Sequence, residues 1–114
     1  MSEVQTEIPN FFDLYMRGDL AEDTVHDYIG LWHDRYKGCE RYPALHEFLG
    51  MTHDEYEVWM YDPFALPLIR QARQGADLVQ LMILRYAQLC AANRREDGSI
   101  IFSLRNWLQR LGRL

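Results

Sequence analysis

The run LVQLMILRYAQLCAA, residues 78–92, is the only long apolar stretch in this chain of 114 residues. It is shorter than the ~20 residues that a membrane-spanning helix requires, and Gln80, Arg85 and Gln88 interrupt it. Its apolar side chains are distributed around nearly all sides of a helix, so we predict that other helices surround it. The sequence thus predicts a buried central helix at about Ala76 to Asn93, in a protein that does not associate with a membrane.

The residues before this run contain the caps and breaks of short helices. Asn10 can cap a first helix, and Gly18 can end it in a left-handed conformation. A second helix, at about Asp23 to Tyr36, has apolar residues spaced as one buried stripe. Pro43 suits the start of a third helix, which Gly50 ends. These signals indicate short helical segments rather than long rods.

A fourth helix is predicted from a capping box, in which Thr52 and Glu55 satisfy the free N–H groups of a helix that begins at His53. It should end before Asp62-Pro63, because a residue ahead of proline avoids the helical region. Its predicted inward-facing residues are Tyr56, Trp59 and Met60.

Two more helices complete the predicted fold. One, at about Leu66 to Arg73, precedes the central helix, and a last amphipathic helix follows it with Ser99 or Ser103 as its cap. We therefore predict an all-α fold, a compact orthogonal bundle of about six to seven short helices around the central one. Residues 1–114 should form a single domain, with residues 1–8 left open as a flexible end. The predicted buried stripe of the last helix is Leu104, Trp107, Leu108 and Leu111.

Charge is distributed unevenly along the chain, although the overall net charge is only −5. Residues 1–62 contain 14 acidic and 4 basic residues, a net charge of −10. Residues 63–114 contain 3 acidic and 8 basic residues, a net charge of +5. Either the two halves neutralise each other when the chain folds back, or the acidic half presents a face that binds a partner.

The second interpretation selects five carboxylates as partner-binding residues. Asp23, Asp27 and Asp34 are predicted to lie on the polar side of the second helix. Asp54 and Glu57 fall in the first turns of the fourth helix, where negative charge favours the helix dipole. We predict that these side chains are exposed and bind another protein.

Five arginines in the second half, Arg94, Arg95, Arg105, Arg110 and Arg113, are candidates for a basic patch beside the last helix. The isoelectric point near 5.3 and the acidic first half weaken attraction to phosphate. We therefore expect no direct binding of nucleic acid, and the patch is equally suited to an acidic partner.

All four histidines fall between positions 26 and 53. His26 and His33 should share a helix face two turns apart, about 10 Å, which is too far for one metal ion to bridge. His46 and His53 are separated by the break at Gly50, so their geometry stays open. We predict no metal and no cofactor, and keep a small metal-dependent hydrolase that uses these histidines as an alternative.

Neither cysteine belongs to a redox or metal-binding motif, since Cys39 and Cys90 are far apart in the sequence. The first residues lack the basic and apolar regions of a secretory signal, so we expect a cytoplasmic protein. Walker, G-x-G-x-x-G and G-x-S-x-G patterns do not occur in the sequence. We therefore predict that the protein is not an enzyme.

The segment from Asp27 to Arg73 contains a pattern of aromatic, capping and turn residues. The pattern consists of Trp32-His33-Asp34, Leu45-His46-Glu47-Phe48-Leu49-Gly50-Met51-Thr52, Glu55-Tyr56, Trp59 and Ala65-Leu66-Pro67. In these residues the segment resembles a family of small, uncharacterised, antitoxin-like helical proteins of bacterial mobile elements and prophages. The resemblance implies a toxin–antitoxin or phage-defence setting.

These observations lead to one principal functional prediction. We predict a non-catalytic, antitoxin-like inhibitor that neutralises a partner protein, a toxin or a nucleic-acid-binding effector, through its acidic face. The alternative is a phage-encoded inhibitor of a host defence system that mimics nucleic acid, as an anti-CRISPR protein does. The sequence also leaves a homodimer open.

Overall fold

Every secondary-structure element in residues 9–114, the part of the chain that the structure describes, is a helix or a helical turn. The structure is a computed structural model, and it contains seven α-helices, two 3-10 turns and no strand in that range. The prediction of an all-α fold is confirmed. The expected flexible end, residues 1–8, lies outside the described residues.

The chain divides into two compact units, Met1–His53 and Asp54–Leu114. The boundary falls at the beginning of a helix, between its first and second residues. The prediction of a single domain concerns how the two units behave together, and it stays a prediction. Each unit is therefore described by itself.

The first unit contains α1 (Phe11–Arg17), a 3-10 turn (Glu22–Thr24), α2 (Val25–Tyr36) and α3 (Leu45–Leu49). The second predicted helix is confirmed, except that its first residues are wound as the 3-10 turn. The third begins later than the predicted start at Pro43, because Ala44 is still extended.

Two predicted capping residues, Asn10 at the start of α1 and Gly50 at the end of α3, lie against each other. Asn10 Oδ1 accepts a hydrogen bond from the Asp13 N–H at 2.8 Å, which caps α1. Gly50 ends α3 with φ of +88°, a conformation that favours glycine. A Cβ added at Gly50 would collide with the Asn10 side chain. Glycine is therefore required at this position by both its backbone and its surroundings.

Aromatic rings fill the core of the first unit. Phe11 is fully buried, and its ring stacks on Tyr15 with centroids 5.6 Å apart. Val25 is the buried residue of α2. Trp32 is only half-buried, and its indole N–H donates a hydrogen bond to the carbonyl of Pro43 at 2.9 Å. This bond links α2 to the chain just before α3.

The remaining elements are α4 (His53–Tyr61), α5 (Leu66–Arg73), α6 (Leu78–Ala92), a 3-10 turn (Arg95–Asp97) and α7 (Gly98–Arg110). The predicted limits of α4 and α5 are confirmed. The cap predicted for the last helix is wrong, because the 3-10 turn leads directly into Gly98 and α7 begins before Ser99 and Ser103.

Helix α6 packs against both α5 and α7. Met82 and Leu89 are its buried residues, and Ile69 of α5 and Leu104 of α7 are fully buried as well. The prediction of a buried central helix therefore holds for one side of α6. Leu84, on the opposite side, is 53% exposed.

Two residues that we predicted to be buried are exposed. Met60 is 59% exposed, because the inward side of α4 is formed instead by Glu55, Val58 and Trp59. Leu111 is 47% exposed, since α7 ends one residue before it. The other predicted stripe residues of α7 are buried.

Candidate functional site

Three of the predicted partner-binding carboxylates lie on α2 or on the 3-10 turn before it. Asp27 and Asp34 are seven residues apart, which places them on one side of the helix, opposite the buried Val25. Asp23 lies in the 3-10 turn that leads into α2. All three are exposed, as predicted. We call Asp23, Asp27 and Asp34 the acidic face.

The acidic face is not neutralised by ion pairs with the described residues of its own unit. Within residues 9–53, these carboxylates form no ion pair. Residues 1–53 contain ten acidic and four basic residues, a net charge of −6. The negative charge on α2 is therefore available to a partner.

Gly30 and Leu31 lie between Asp27 and Asp34 on the exposed side of α2. A glycine in a helix interior costs about 1 kcal/mol relative to alanine. A Cβ added at Gly30 would meet no described atom within 4 Å, so packing inside the unit does not require glycine there. Because Gly30 has no side chain, the surface between Asp27 and Asp34 is open to close approach by another backbone.

A groove of about 500 Å³ borders the acidic face at Leu31, which is 57% exposed. The half-buried rings of Tyr28 and Phe48, with centroids 6.5 Å apart, contribute apolar surface to it. The groove thus combines an apolar lining with a few charged and polar groups. Its lining residues are Pro9, Asn10, Tyr28, Leu31, Arg35, Pro43, Glu47 and Phe48.

Asp54 and Glu57, the other two predicted partner-binding residues, lie on α4. Asp54 is exposed. Glu57 Oε2 accepts hydrogen bonds from the Tyr61 hydroxyl at 2.8 Å and from the Arg110 guanidinium at 3.0 Å. The bond to Glu57 raises the pKa of Tyr61, because the carboxylate favours the protonated phenol. Glu57 is held by contacts within the second unit, and the binding role predicted for it stays a prediction.

The five arginines of the predicted basic patch are all exposed, and two of them, Arg105 and Arg110, lie on α7. Arg94 pairs with Asp97 at 2.9 Å, and Arg105 Nε donates to the Tyr86 hydroxyl at 3.0 Å. Arg105 and Arg110 are five residues apart, about 140° around the helix, so they point in different directions. Three of the five arginines thus have partners within the second unit, and a common basic patch stays a prediction.

The histidines form two separate arrangements in the first unit. His26 and His33 are exposed on α2 at the predicted spacing of two turns. The rings of His46 and His53 are nearly perpendicular, with centroids 5.9 Å apart. Neither pair brings together enough ligands for a metal ion by itself.

One group of side chains along α4 offers three nearby ligand atoms. Its members, whose ligand atoms lie within 4.8 Å of one another, are His53, Asp54 and Glu57. Exposed acidic groups often gather in this way without an ion, and Glu57 already accepts two hydrogen bonds. The arrangement does not assign a metal, and the hydrolase alternative stays a prediction.

Sequence reasoning missed the four ion pairs of the second unit, two of which are formed through two hydrogen bonds each. Asp62 is fully buried and binds Arg85 through two hydrogen bonds, at 2.8 and 3.2 Å, which raise the pKa of Arg85. Glu55 binds Arg73 in the same two-point manner, at 2.6 and 2.9 Å. A signal for the first pair was present, because Arg85 is the one charged residue in the apolar run 78–92 and needs a counter-ion there.

No family model, curated protein or solved structure matches this chain. The resemblance to antitoxin-like proteins therefore stays a prediction. Within residues 9–114, none of the helices has the length and apolar character needed to cross a bilayer.

Proposed function

We propose that this protein is a non-catalytic, antitoxin-like inhibitor that binds a basic surface of another protein through the acidic face. The observation that supports the proposal is the set of three exposed carboxylates on α2 and on the 3-10 turn before it, without ion pairs within residues 9–53. Like charges concentrated on one surface repel one another, and a basic partner relieves that repulsion. The cytoplasm is the compartment that we propose for it.

The groove beside α2 supplies the apolar part of the proposed interface. Interfaces obtain most of their binding energy from a few apolar or aromatic anchors, and surrounding charges chiefly set the association rate and specificity. The groove suits one such anchor from the partner, and Leu31 connects it to the acidic face. The expected partner segment therefore carries an apolar side chain among lysines and arginines.

A toxin or a nucleic-acid-binding effector is the proposed class of partner. Proteins that bind phosphate backbones expose clusters of lysine and arginine. A carboxylate surface can cover such a cluster and block access to it. The product of a neighbouring open reading frame is the first candidate to test.

Charge reversal of the acidic face tests the proposal. The triple variant Asp23→Lys, Asp27→Lys, Asp34→Lys should keep the helical circular dichroism spectrum of the wild type. Its association rate with the purified neighbouring gene product, measured by surface plasmon resonance, should fall at least tenfold at low ionic strength. The difference should shrink at high salt because charges are then screened.

A matched control is the triple variant Asp19→Lys, Glu40→Lys, Glu96→Lys, which changes the net charge equally at exposed positions outside the acidic face. It should associate much closer to the wild-type rate. Equal losses in both variants would show that only the overall charge matters. An unchanged rate in the acidic-face variant at low salt would refute the proposal.

A further inference from the structure

A pocket of about 320 Å³ lies at the C-terminal end of α2. It is distinct from the groove beside Leu31, because no residue lines both. Its volume falls within the roughly 300–1,000 Å³ that is typical of small-molecule sites. All of its lining residues belong to the first unit, and three of them are aromatic. We call it the aromatic pocket.

The rings of Trp32 and Tyr42 form a corner in the aromatic pocket. Their planes are inclined at 71° and their centroids are 5.8 Å apart. The indole is also held by its hydrogen bond to the carbonyl of Pro43. A planar ring that stacks on one side of such a corner presents its edge to the other side, and aromatic rings favour both arrangements. The corner therefore suits a ligand that contains a planar ring.

The charged group in the lining of the aromatic pocket is the ammonium of Lys37. Lys37 is exposed and forms no ion pair within residues 9–53, and none of the lining residues is acidic. The face of the third ring, Tyr36, already has the guanidinium of Arg35 at 5.7 Å from its centroid. The C-terminal end of a helix carries only about half a negative charge, which is less than the full charge of Lys37. The lining therefore favours an anionic ligand over a cationic one.

We propose that the aromatic pocket binds a small aromatic acid, a molecule in which a planar ring carries a carboxylate or a phosphate. The ring lies in the corner between Trp32 and Tyr42, and the acidic group pairs with Lys37. A small molecule is favoured over a nucleic-acid strand, because the net charge of −6 in residues 1–53 repels a chain of phosphates. The proposal does not depend on the acidic face.

The first test is isothermal titration calorimetry of the full-length chain with indole-3-acetate and with adenosine 5′-monophosphate. The two compounds distinguish a carboxylate from a phosphate, and we expect at least one to bind with a Kd below about 1 mM. Indole and adenosine keep the rings but lack the acidic groups, so each should bind at least about threefold more weakly than its acid. Failure of both acids to bind, or equally tight binding of the neutral compounds, would overturn the proposal.

Cys39 reports where the acid binds, because its exposed thiol lines the aromatic pocket. At about ten times the Kd, the acid should slow alkylation of Cys39 by iodoacetamide about tenfold, since only the unbound protein reacts. Cys90 is an exposed thiol on α6 and serves as the control in the same sample, with an unchanged rate. Mass spectrometry of proteolytic peptides measures both rates. Binding without selective protection of Cys39 would contradict the assignment to this pocket.

A pair of charge variants tests the role of Lys37. Lys37→Gln should raise the Kd of the acid about three- to fivefold, as for the loss of an exposed ion pair. Arg17→Gln removes the same charge at an exposed position of α1 that does not line the pocket, and should leave the Kd within about 1.5-fold because distant exposed charges are screened. Equal effects of the two variants would count against pairing of the acid with Lys37.

A second pair of variants tests the corner of rings. Tyr42→Ala removes one side of it and should raise the Kd of the acid at least about fivefold, because stacking on an aromatic ring is lost. Tyr42→Phe keeps the ring and should leave the Kd within about twofold. Both variants should keep the helical circular dichroism spectrum of the wild type, since Tyr42 is 55% exposed. Unchanged binding by Tyr42→Ala would overturn the proposed position of the ligand ring.

Discussion

The two units differ in whether their carboxylates form ion pairs. In the second unit, four carboxylates pair with arginines at distances between 2.6 and 3.0 Å. In the first unit, the acidic face forms no ion pair within residues 9–53, and the ends of α1 and α3 meet through the uncharged contact of Asn10 with Gly50. Ion pairs thus contribute to the structure of the second unit, whereas neutral contacts and caps organise the described part of the first.

This difference clarifies the uneven charge of the sequence. Glu55, Glu57 and Asp62 belong to the acidic stretch of residues 1–62, yet each pairs with an arginine from residues 63–114. Neutralisation by folding back is therefore correct for these three carboxylates. Binding of a partner stays the proposal for the acidic face.

The largest expected effect comes from the buried ion pair of the second unit. Asp62→Ala leaves Arg85 without its counter-ion and removes the acceptor of the Phe64 N–H. We expect a loss of about 3 kcal/mol in the free energy of unfolding, at the lower end for broken buried pairs because the Arg85 side chain is 21% exposed. Urea denaturation followed by circular dichroism measures this loss.

The matched control for this variant is Asp27→Ala, which removes a carboxylate from the acidic face. Its free energy of unfolding should stay within about 0.5 kcal/mol of the wild type, as for other exposed surface positions. Similar losses for the two variants would show that the charges of the two units do not differ in structural role.

The second prediction concerns the neutral contact that joins the helix ends in the first unit. Gly50→Ala places a side chain at positive φ and against Asn10, and should cost about 2 kcal/mol. Asn10→Ala alone should cost about 1 kcal/mol through loss of the α1 cap. The double variant should cost about 1 kcal/mol less than the two single losses together, because removing the Asn10 side chain relieves the collision. Strict additivity in urea denaturation would contradict this account.

The helices were largely predictable from the sequence because their ends are local. Asn10, Gly18 and Gly50 act through neighbouring backbone groups, and each fixes its helix end as predicted. The exposed side of α6 was not predictable, because a sequence that is apolar on all sides of a helix does not indicate which side packs against the neighbouring helices. Met60 was misplaced for a related reason, since Val58 satisfies the same helical spacing.

The candidate site was predictable in part. Exposure of Asp27 and Asp34 follows from the periodicity of α2, which places them away from Val25, and Asp23 is exposed in the 3-10 turn before α2. Glu57 forms an ion pair with Arg110, which lies 53 residues later in the sequence. Pairs so far apart cannot be predicted from the spacing of residues within one helix. The groove beside Leu31 likewise needs α2 and α3 to be placed together.

The third prediction compares neutral isosteres in the two units. The triple variant Asp23→Asn, Asp27→Asn, Asp34→Asn should change the free energy of unfolding by less than about 0.5 kcal/mol, because Asp27 lies at the favourable end of the α2 dipole and Asp34 at the unfavourable end. Glu55→Gln, a single change at a buried carboxylate that pairs with the more exposed Arg73, should cost about 2 kcal/mol. Thermal unfolding of both variants at equal ionic strength makes the comparison. If the triple variant loses more free energy of unfolding than Glu55→Gln, charged residues contribute more to stability in the first unit than in the second, contrary to our interpretation.

The smallest expected effect is a change in the titration of Tyr61. Its hydroxyl donates to Glu57, which raises the pKa, so the stabilising bond is present below the ordinary tyrosine pKa and is lost as the pH rises through the higher folded value. Glu57→Gln removes the negative charge and should lower the pKa of Tyr61. NMR of ¹³Cζ-labelled tyrosine measures this pKa, and the signal that disappears in the Tyr61→Phe variant is assigned to Tyr61. Glu96→Gln, a change at an exposed carboxylate of the same unit, is the control and should leave the Tyr61 signal unchanged. If Glu57→Gln leaves the titration of Tyr61 where it was, the Tyr61 hydroxyl does not donate to Glu57 in solution, and Arg110 is then the partner of Glu57 within the second unit.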